Sequence, residues 1–365
     1  MNPLKKPNRL IIIGNGFDLA HGYKTSYKDF LFHILFKRLL EFKQAIESKT
    51  YSNYTLPNQF HFRTDLGPIE YPVFQKRIFA FEEQIKTNTE DLFGQLQEFI
   101  KDSGFSIVFP SKLIERIYND THLKNWVDIE EAYYSLIKGV VHHKSDLTLT
   151  HSEITDIKSL NDSLAFLTSE LEQYFLECIG KKAIIHDMAT MFISRSYEAT
   201  YILNFNYTTT FTQYFVGANV YEVINIHGEL GNKNNPIIFG FGDENHTIYP
   251  QIVESNVDEM LHNVKSLKYL ETTNYRALKM ATDETQFDID VIGHSCGISD
   301  RTLLKEIFNH TNCSNINIYH HNGLSSYKSS IYGASRYFDS NFEMRQRIMP
   351  YNPGLTIPQI RNNKR

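Results

Sequence analysis

The chain has 365 residues, with 37 lysines and arginines against 42 aspartates and glutamates and a net charge of -5 at pH 7. Hydrophobic residues make up 41% of it and aromatic residues 13%, enough for a sizeable folded core. This charge balance gives no global basic field, so nucleic acid is not indicated as a partner. The chain has three cysteines, and their spacing is not that of metal ligands. We also find no signal peptide and no long apolar run, so we expect a cytoplasmic protein with no metal site and no membrane association.

The run Leu10–Ile13 is short, uncharged and β-branched, and a glycine turn follows it. Such a run predicts a strand buried on both faces, the central strand of a parallel sheet. Two glycines at its carboxyl end let the backbone turn sharply and present N–H groups to a phosphate. The third glycine of the dinucleotide fingerprint would fall at Leu19, so the motif alone is weak evidence. We interpret the turn as cofactor-binding through Gly14, Asn15, Gly16 and Phe17.

Asp18 lies two residues beyond this turn. A pyrophosphate would tolerate a carboxylate there badly, whereas a ribose hydroxyl or a catalytic water would use it, so we expect Asp18 to face a sugar. The alternative is a structural aspartate in an ordinary Rossmann-like turn. Ser26 and Asp29 then predict the N-cap and the N3 position of a helix that runs to about Ser48.

Residues 31–196 are dominated by apolar residues at helical spacing, and we predict an all-helical insertion between the first strand and the rest of the sheet. The segment 49–75 holds three prolines and little periodicity, and it is either a lid or an interaction surface. Asp128 with Glu131 makes a capping box, so Asp128 is interpreted as a helix cap.

Further apolar runs each end in a polar or glycine-rich cluster. We predict strands at Leu10–Ile13, Tyr201–Leu203, Val223–Ile226, Ile237–Phe239, Ile289–Ile292 and Ile316–Tyr319, and one helical stretch from about Ile252 to Met280. This repetition predicts an α/β fold with a doubly wound, mainly parallel sheet and one ligand-binding edge. We expect a Rossmann-like nucleotide-binding core over residues 1–30 and 197–330, and a C-terminal helix and tail over residues 331–365. The clusters at the strand ends supply the candidates Asn206, His227, Gly240, Gly242, Asp243, Gly293, His294, Ser295 and Asn322.

The opening GNGFDLAHGYKTSYKDF, residues 14–30, resembles the signature of the AbiH family of bacterial abortive-infection proteins, and W-x-D-x-E at residues 126–130 is similar to another segment of that family. The second segment implies, as an alternative to the helix cap, that Asp128 or Glu130 reaches a ligand cleft. The resemblance covers nearly the whole chain. It implies a role in phage defence, a homo-oligomer, and a phage or host protein as trigger.

More remotely, the order of the clusters resembles a sirtuin-like NAD-binding domain. In that comparison Asn206 matches the motif asparagine, His227 the catalytic histidine, and the segments 240–244 and 293–295 the loops that touch the cofactor. Asp18 and Thr208 depart from the pattern, and the four-cysteine zinc site is absent, so protein deacylation is not expected. The resemblance implies NAD or a related nucleotide as ligand or substrate.

Removal of nicotinamide from NAD passes through an oxocarbenium-like sugar and needs few groups. We expect His227 to polarise the ribose hydroxyls and Asn206 or Asp18 to hold a water, as the catalytic set. Three alternatives stay open. His227 is a structural hydrogen bonder, or GHSCG at residues 293–297 is an α/β-hydrolase elbow with Ser295 as nucleophile, although little chain follows for the usual acid and base. In the third alternative, the chain is a non-enzymatic nucleotide sensor or partner-binding scaffold.

Overall fold

The computed structural model describes residues 6–48, 58–64, 71–120, 126–141, 148–178, 184–194, 196–215, 217–241, 244 and 248–360. Its strands in chain order are β1 (Asn8–Ile13), β2 (His61–Thr64), β3 (Phe105–Val108), β4 (Thr200–Asn204), β5 (Val220–Asn225), β6 (Phe287–Ile292) and β7 (Cys313–Ile318). Five of them form one sheet in the order β5-β4-β1-β6-β7, and every neighbouring pair in it is parallel. The predicted α/β fold with a parallel sheet is therefore confirmed.

The helices in chain order are α1 (Asn15–Ala20), α2 (Tyr27–Glu47), α3 (Tyr71–Thr87), α4 (Leu92–Ser103), α5 (Lys112–Asn119), α6 (Trp126–Val141), α7 (His151–Cys178), α8 (Tyr249–Glu254), α9 (Lys265–Lys268), α10 (Asn274–Asp283), α11 (Arg301–Phe308), α12 (Gly323–Ala334) and α13 (Asn341–Arg347). The start of α2 is as predicted, because Ser26 accepts a hydrogen bond from the backbone N–H of Asp29 at 3.2 Å. Two predictions are wrong. The stretch 252–280 is broken into short helices, and Asp128 lies inside α6, which already begins at Trp126.

The central strand β1 is buried on both faces, as its sequence predicted. Leu10 and Ile12 pack into the hydrophobic cluster on one face of the sheet, and Ile11 and Ile13 pack into the cluster on the other. This alternation follows from the two-residue period of a strand. The sheet is consequently covered by side chains on both sides, as all-parallel sheets require.

The predicted strand Ile237–Phe239 is wrong. Ile238 donates its N–H to the carbonyl of His227, which lies beyond the end of β5. The segment therefore extends past the sheet, and Phe241 forms only an isolated parallel bridge with Val264.

The prediction of an all-helical insertion is also wrong in one respect. Residues 61–64 and 105–108, β2 and β3, pair as a small antiparallel sheet among the helices. Phe62 of β2 is fully buried, and its ring lies 6.1 Å from that of Phe42 on α2. The two strands thus close the aromatic core of this region. Of the loop 49–75, the segments 49–57 and 65–70 lie outside the described residues.

Candidate functional site

A cleft with a volume of about 470 Å³ opens at the carboxyl edge of the sheet. The chain passes from β1 to β4 on one side and reaches β6 on the other, so the strand order reverses between β1 and β6. In open α/β sheets, ligands bind in the crevice at this switch point. The residues that line the cleft include Gly14, Asn15, Gly16, Asp18, Asn206, Thr208, His227, Gly293, His294, Ser295, Asp300 and His320. The three predicted catalytic side chains therefore lie in one cleft, although they come from three separate segments.

The glycines of the first turn serve close packing rather than an open anion cradle. The N–H of Gly14 donates to Ile292 O at 3.1 Å, and the N–H of Gly16 donates to Gly293 O at 2.8 Å. A Cβ on Gly14 would lie 2.5 Å from the Cα of His294, and one on Gly16 would lie 2.8 Å from Gly293 O. Larger residues at either position would therefore disturb the fold itself.

Asp18 is 2% exposed at the wall of the cleft. Its Oδ2 accepts a hydrogen bond from the hydroxyl of Thr208 at 2.6 Å, and among the described residues no donor reaches Oδ1. Burial raises the pKa of Asp18 to about 6, and the hydroxyls of Thr208 and Thr210 oppose this shift. A buried carboxylate oxygen without a donor is costly, so its position in a cleft points to a ligand or a water as its partner.

The turn after β4 is organised by Asn204, the last residue of that strand. Its side-chain amide donates to the carbonyls of Asn206 and Thr208, and its Oδ1 accepts the N–H of Asn206 at 3.0 Å. Asn206 in turn donates from Nδ2 to Gly14 O at 3.1 Å. These bonds lock the loop after β4 to the loop after β1.

His227 pairs with the carboxylate of Asp300. Its Nε2 lies 3.3 Å from Asp300 Oδ1 and 3.2 Å from the hydroxyl of Tyr269. The ring also contacts Phe205 edge-on at 5.0 Å between centroids. If Nε2 carries the hydrogen toward Asp300, Nδ1 is left as a proton acceptor.

Asp300 belongs to a buried charged cluster centred on Lys265. The ammonium of Lys265 lies 2.8 Å from Asp300 Oδ1 and 2.9 Å from Glu130 Oε1, and the lysine is 1% exposed. Burial lowers the pKa of Lys265, but the two carboxylates outweigh it and the net shift is upward. Burial likewise opposes ionisation of Asp300, but Lys265 and His227 hold its pKa well below the ordinary value. The alternative interpretation, in which Asp128 or Glu130 reaches the cleft, agrees with this position of Glu130. The side chain of Asp128 lies outside the described residues.

His294 completes the cluster as a neutral imidazole. Its Nδ1 accepts the N–H of Cys296 at 3.0 Å, and its Nε2 lies 3.6 Å from Asp300 Oδ2. Burial lowers the pKa of His294 to about 4. The histidine is therefore uncharged at neutral pH and can donate from Nε2 toward the carboxylate.

The geometry counts against a hydrolase elbow at GHSCG. In such an elbow the nucleophilic serine itself occupies the strained turn. Here the left-handed residues are Gly293 (φ 69°) and Cys296 (φ 52°), on either side of Ser295. Burial also raises the pKa of Cys296 to about 12, so its thiol is not a ready nucleophile.

Several predicted cofactor residues do not line the cleft. Phe17 is fully buried and packs edge-on against Phe192 and Tyr214. Gly240 donates its N–H to Glu130 Oε1 at 3.2 Å and abuts the carbonyl of Asn263. Asn322 is exposed at the start of α12, and its N–H donates to Ser326 Oγ at 3.0 Å. Gly242 and Asp243 lie outside the described residues.

Sequence reasoning missed Lys265 and Asp300, the centre of the charged cluster. Lys265 fell within a stretch interpreted as continuous helix, where a lysine indicates a solvated face. Asp300 immediately precedes α11, at the N-cap position where an aspartate is common for structural reasons alone. In the described part of the chain, no group of three or more histidine, cysteine or acidic side chains has an arrangement that could hold a metal ion. None of the described helices is both long and apolar enough to span a membrane.

Comparison with protein families relates the chain to a known family. A family model described as bacteriophage abortive infection AbiH matches residues 10–321. That range contains all the strands of the large sheet from Leu10 onward and every cleft residue discussed so far. No match was found among curated proteins.

Proposed function

Because the chain belongs to the AbiH family of bacteriophage abortive-infection proteins, we propose that it acts in phage defence by binding NAD or a related nucleotide in this cleft and hydrolysing its N-glycosidic bond. The observation that carries the proposal is the buried carboxylate of Asp18, whose Oδ1 has no donor among the described residues. Such a group at a switch-point cleft suits a sugar hydroxyl or an attacking water.

In the proposed reaction the bond between the anomeric carbon and the nicotinamide nitrogen breaks, and its electron pair goes to the nitrogen. The leaving base becomes neutral, so it needs no proton. Water adds to the anomeric carbon and loses a proton, and the products are ADP-ribose, nicotinamide and one proton. Asp18 accepts the water proton or stabilises the positive sugar, as carboxylates do in glycoside hydrolysis.

His227 is assigned to the ribose hydroxyls. With Nε2 directed to Asp300, the Nδ1 lone pair would accept a hydroxyl hydrogen and raise the electron density of the sugar. The cluster supports this role because Lys265 supplies one positive charge against the two carboxylates of Glu130 and Asp300. The positive charge of an additional proton on His227 would therefore balance the net negative charge of this cluster.

Phosphate anchoring at the glycine turn has less support. Gly14, Gly16 and Phe17 use their N–H groups within the protein, and Lys265 is engaged by carboxylates. The proposal therefore rests on the sugar and the glycosidic bond, not on a pyrophosphate cradle.

The test is to incubate the purified full-length chain separately with NAD, NADP and ATP, with and without phage lysate, and to follow the products by chromatography. We expect release of nicotinamide from NAD or NADP, and a loss of turnover of about 10²- to 10⁴-fold in His227→Gln, the usual range for a general acid or base. Asp162→Asn, which changes an exposed carboxylate on α7, is the control and should keep full activity.

Binding without turnover would replace hydrolysis by a sensor role. If no nucleotide binds with or without lysate, the proposed function is wrong.

A further inference from the structure

We infer that the cleft is built for a ligand with two hydrogen-bonding halves, a dinucleotide in preference to a mononucleotide, and that His320 recognises the second half. This inference rests on the proposed function. It comes from a second buried acceptor for which the described residues supply no donor, in a segment that follows a different strand from the one before Asp18.

His320 follows β7 and is 2% exposed, yet it lines the same cleft as Asp18. Its Nε2 lies 3.1 Å from the backbone carbonyl of Asn352, so Nε2 must carry the hydrogen of that bond. The other ring nitrogen, Nδ1, is then an acceptor, and among the described residues no donor reaches it. A buried imidazole lone pair without a donor is costly unless a ligand or water satisfies it.

The backbone holds this imidazole firmly in place. The N–H of His320 donates to Leu355 O at 3.0 Å, and its carbonyl accepts the N–H of Ile357 at 2.8 Å. The ring also packs against Tyr351, with 5.0 Å between centroids. The acceptor is therefore preorganised, which reduces the entropy lost when a ligand binds.

The two acceptors belong to segments that follow strands on opposite sides of β6. Asp18 follows β1 and His320 follows β7, and these strands flank β6 in the sheet. Two interstrand spacings of about 4.8 Å separate the strand ends by about 10 Å. A ligand that satisfies both acceptors must therefore have hydroxyl or amino donors in two separate parts.

The wall around His320 suits an uncharged half. It is formed by Tyr319, His321 and the α12 residues Ser326, Ser329 and Ser330, together with Gln359. These side chains offer hydroxyl, imidazole and amide groups and no lysine or arginine. A nucleoside, with ribose hydroxyls and an exocyclic amine, matches this set better than a free phosphate does.

The test measures dissociation constants by calorimetry at low temperature, with chromatography of the titrant to check that the ligand stays intact. Wild-type protein is titrated with NAD and with nicotinamide mononucleotide. We expect NAD to bind at least about 10-fold more tightly, because an unmade hydrogen bond at a buried acceptor corresponds to about 5- to 150-fold in affinity. Equal affinities would overturn the inference without needing any variant.

The variants are His320→Leu, which removes the acceptor, and His320→Gln, whose amide can both donate and accept. His320→Leu should weaken NAD binding about 10-fold while leaving the mononucleotide unchanged, and His320→Gln should recover part of the loss. His310→Leu is the matched control, since its Nε2 contacts Asp283 before β7 begins, away from the cleft.

Melting temperatures of all variants report on folding. Equal losses for both ligands, or no loss for NAD, would refute the role of His320 and leave the proposed function standing. Absence of any nucleotide binding by the wild type would refute both.

Discussion

Replacement of Asp18 by asparagine should make the protein more stable and less active. Asparagine has nearly the same shape, and its carbonyl oxygen can still accept the Thr208 hydroxyl that Asp18 accepts at 2.6 Å. What it removes is a buried negative charge. A carboxylate that is kept at a cost in stability is expected at a functional site and is hard to explain as a structural residue.

The magnitude follows from the pKa. Burial raises the pKa of Asp18 from 3.8 to about 6, and each pKa unit corresponds to about 1.4 kcal/mol. Ionised Asp18 therefore destabilises the folded state by about 3 kcal/mol. Because the folded pKa is the higher one, the cost is absent below about pH 4, grows as the pH rises toward 6, and is constant above that.

The assay is urea unfolding of wild type and Asp18→Asn at pH 5 and pH 8, with nicotinamide release measured on the same samples. The variant should be more stable by about 3 kcal/mol at pH 8 and by roughly half as much at pH 5. Its turnover should fall by about 10²-fold or more. A variant less stable than wild type at pH 8 would refute the reasoning, because it would mean that the carboxylate is paired in the fold.

Two further results are expected. Lys265→Met leaves two buried carboxylates without their cation, so it should lower the free energy of unfolding by about 3–5 kcal/mol. The control Lys279→Met changes a lysine whose side chain is 36% exposed, and it should cost less than about 1 kcal/mol. Similar values for both variants would contradict the buried cluster. Burial raises the pKa of Cys296 and Cys313 to about 12, so neither thiol should be alkylated at pH 8 until the protein unfolds. Peptide mass spectrometry measures the labelling, and rapid labelling of Cys296 in the folded protein would make it a candidate nucleophile.

The strands of the large sheet could be predicted from the sequence because their pattern is local. Each of the strands β1, β4, β5, β6 and β7 contains apolar β-branched residues and is followed by turn residues, and all five were predicted within a few residues. The failure at Ile237–Phe239 is informative. That run is just as apolar, but it pairs with the carbonyl of His227 beyond the sheet, and no local pattern distinguishes a strand from an extended segment under a loop.

The sequence predicted cleft residues best where they lie shortly after a strand. Asp18, Asn206 and His227 all do, and all three line the cleft. Lys265 does not follow a strand. It is brought in by the pairing of Phe241 with the chain around Val264, a contact between distant segments that a single sequence does not encode visibly.

The same long-range contacts mean that the chemistry of the cleft depends on the helices that precede β4. Glu130 lies on α6, yet its carboxylate binds Lys265 and accepts the N–H of Gly240. Lys265 in turn holds Asp300, and Asp300 faces His227. A displacement of α6 would leave Lys265 with one carboxylate instead of two and change the charge felt by the histidine. The position of a helix far along the chain from β5 therefore enters directly into the electrostatics of the candidate catalytic residue.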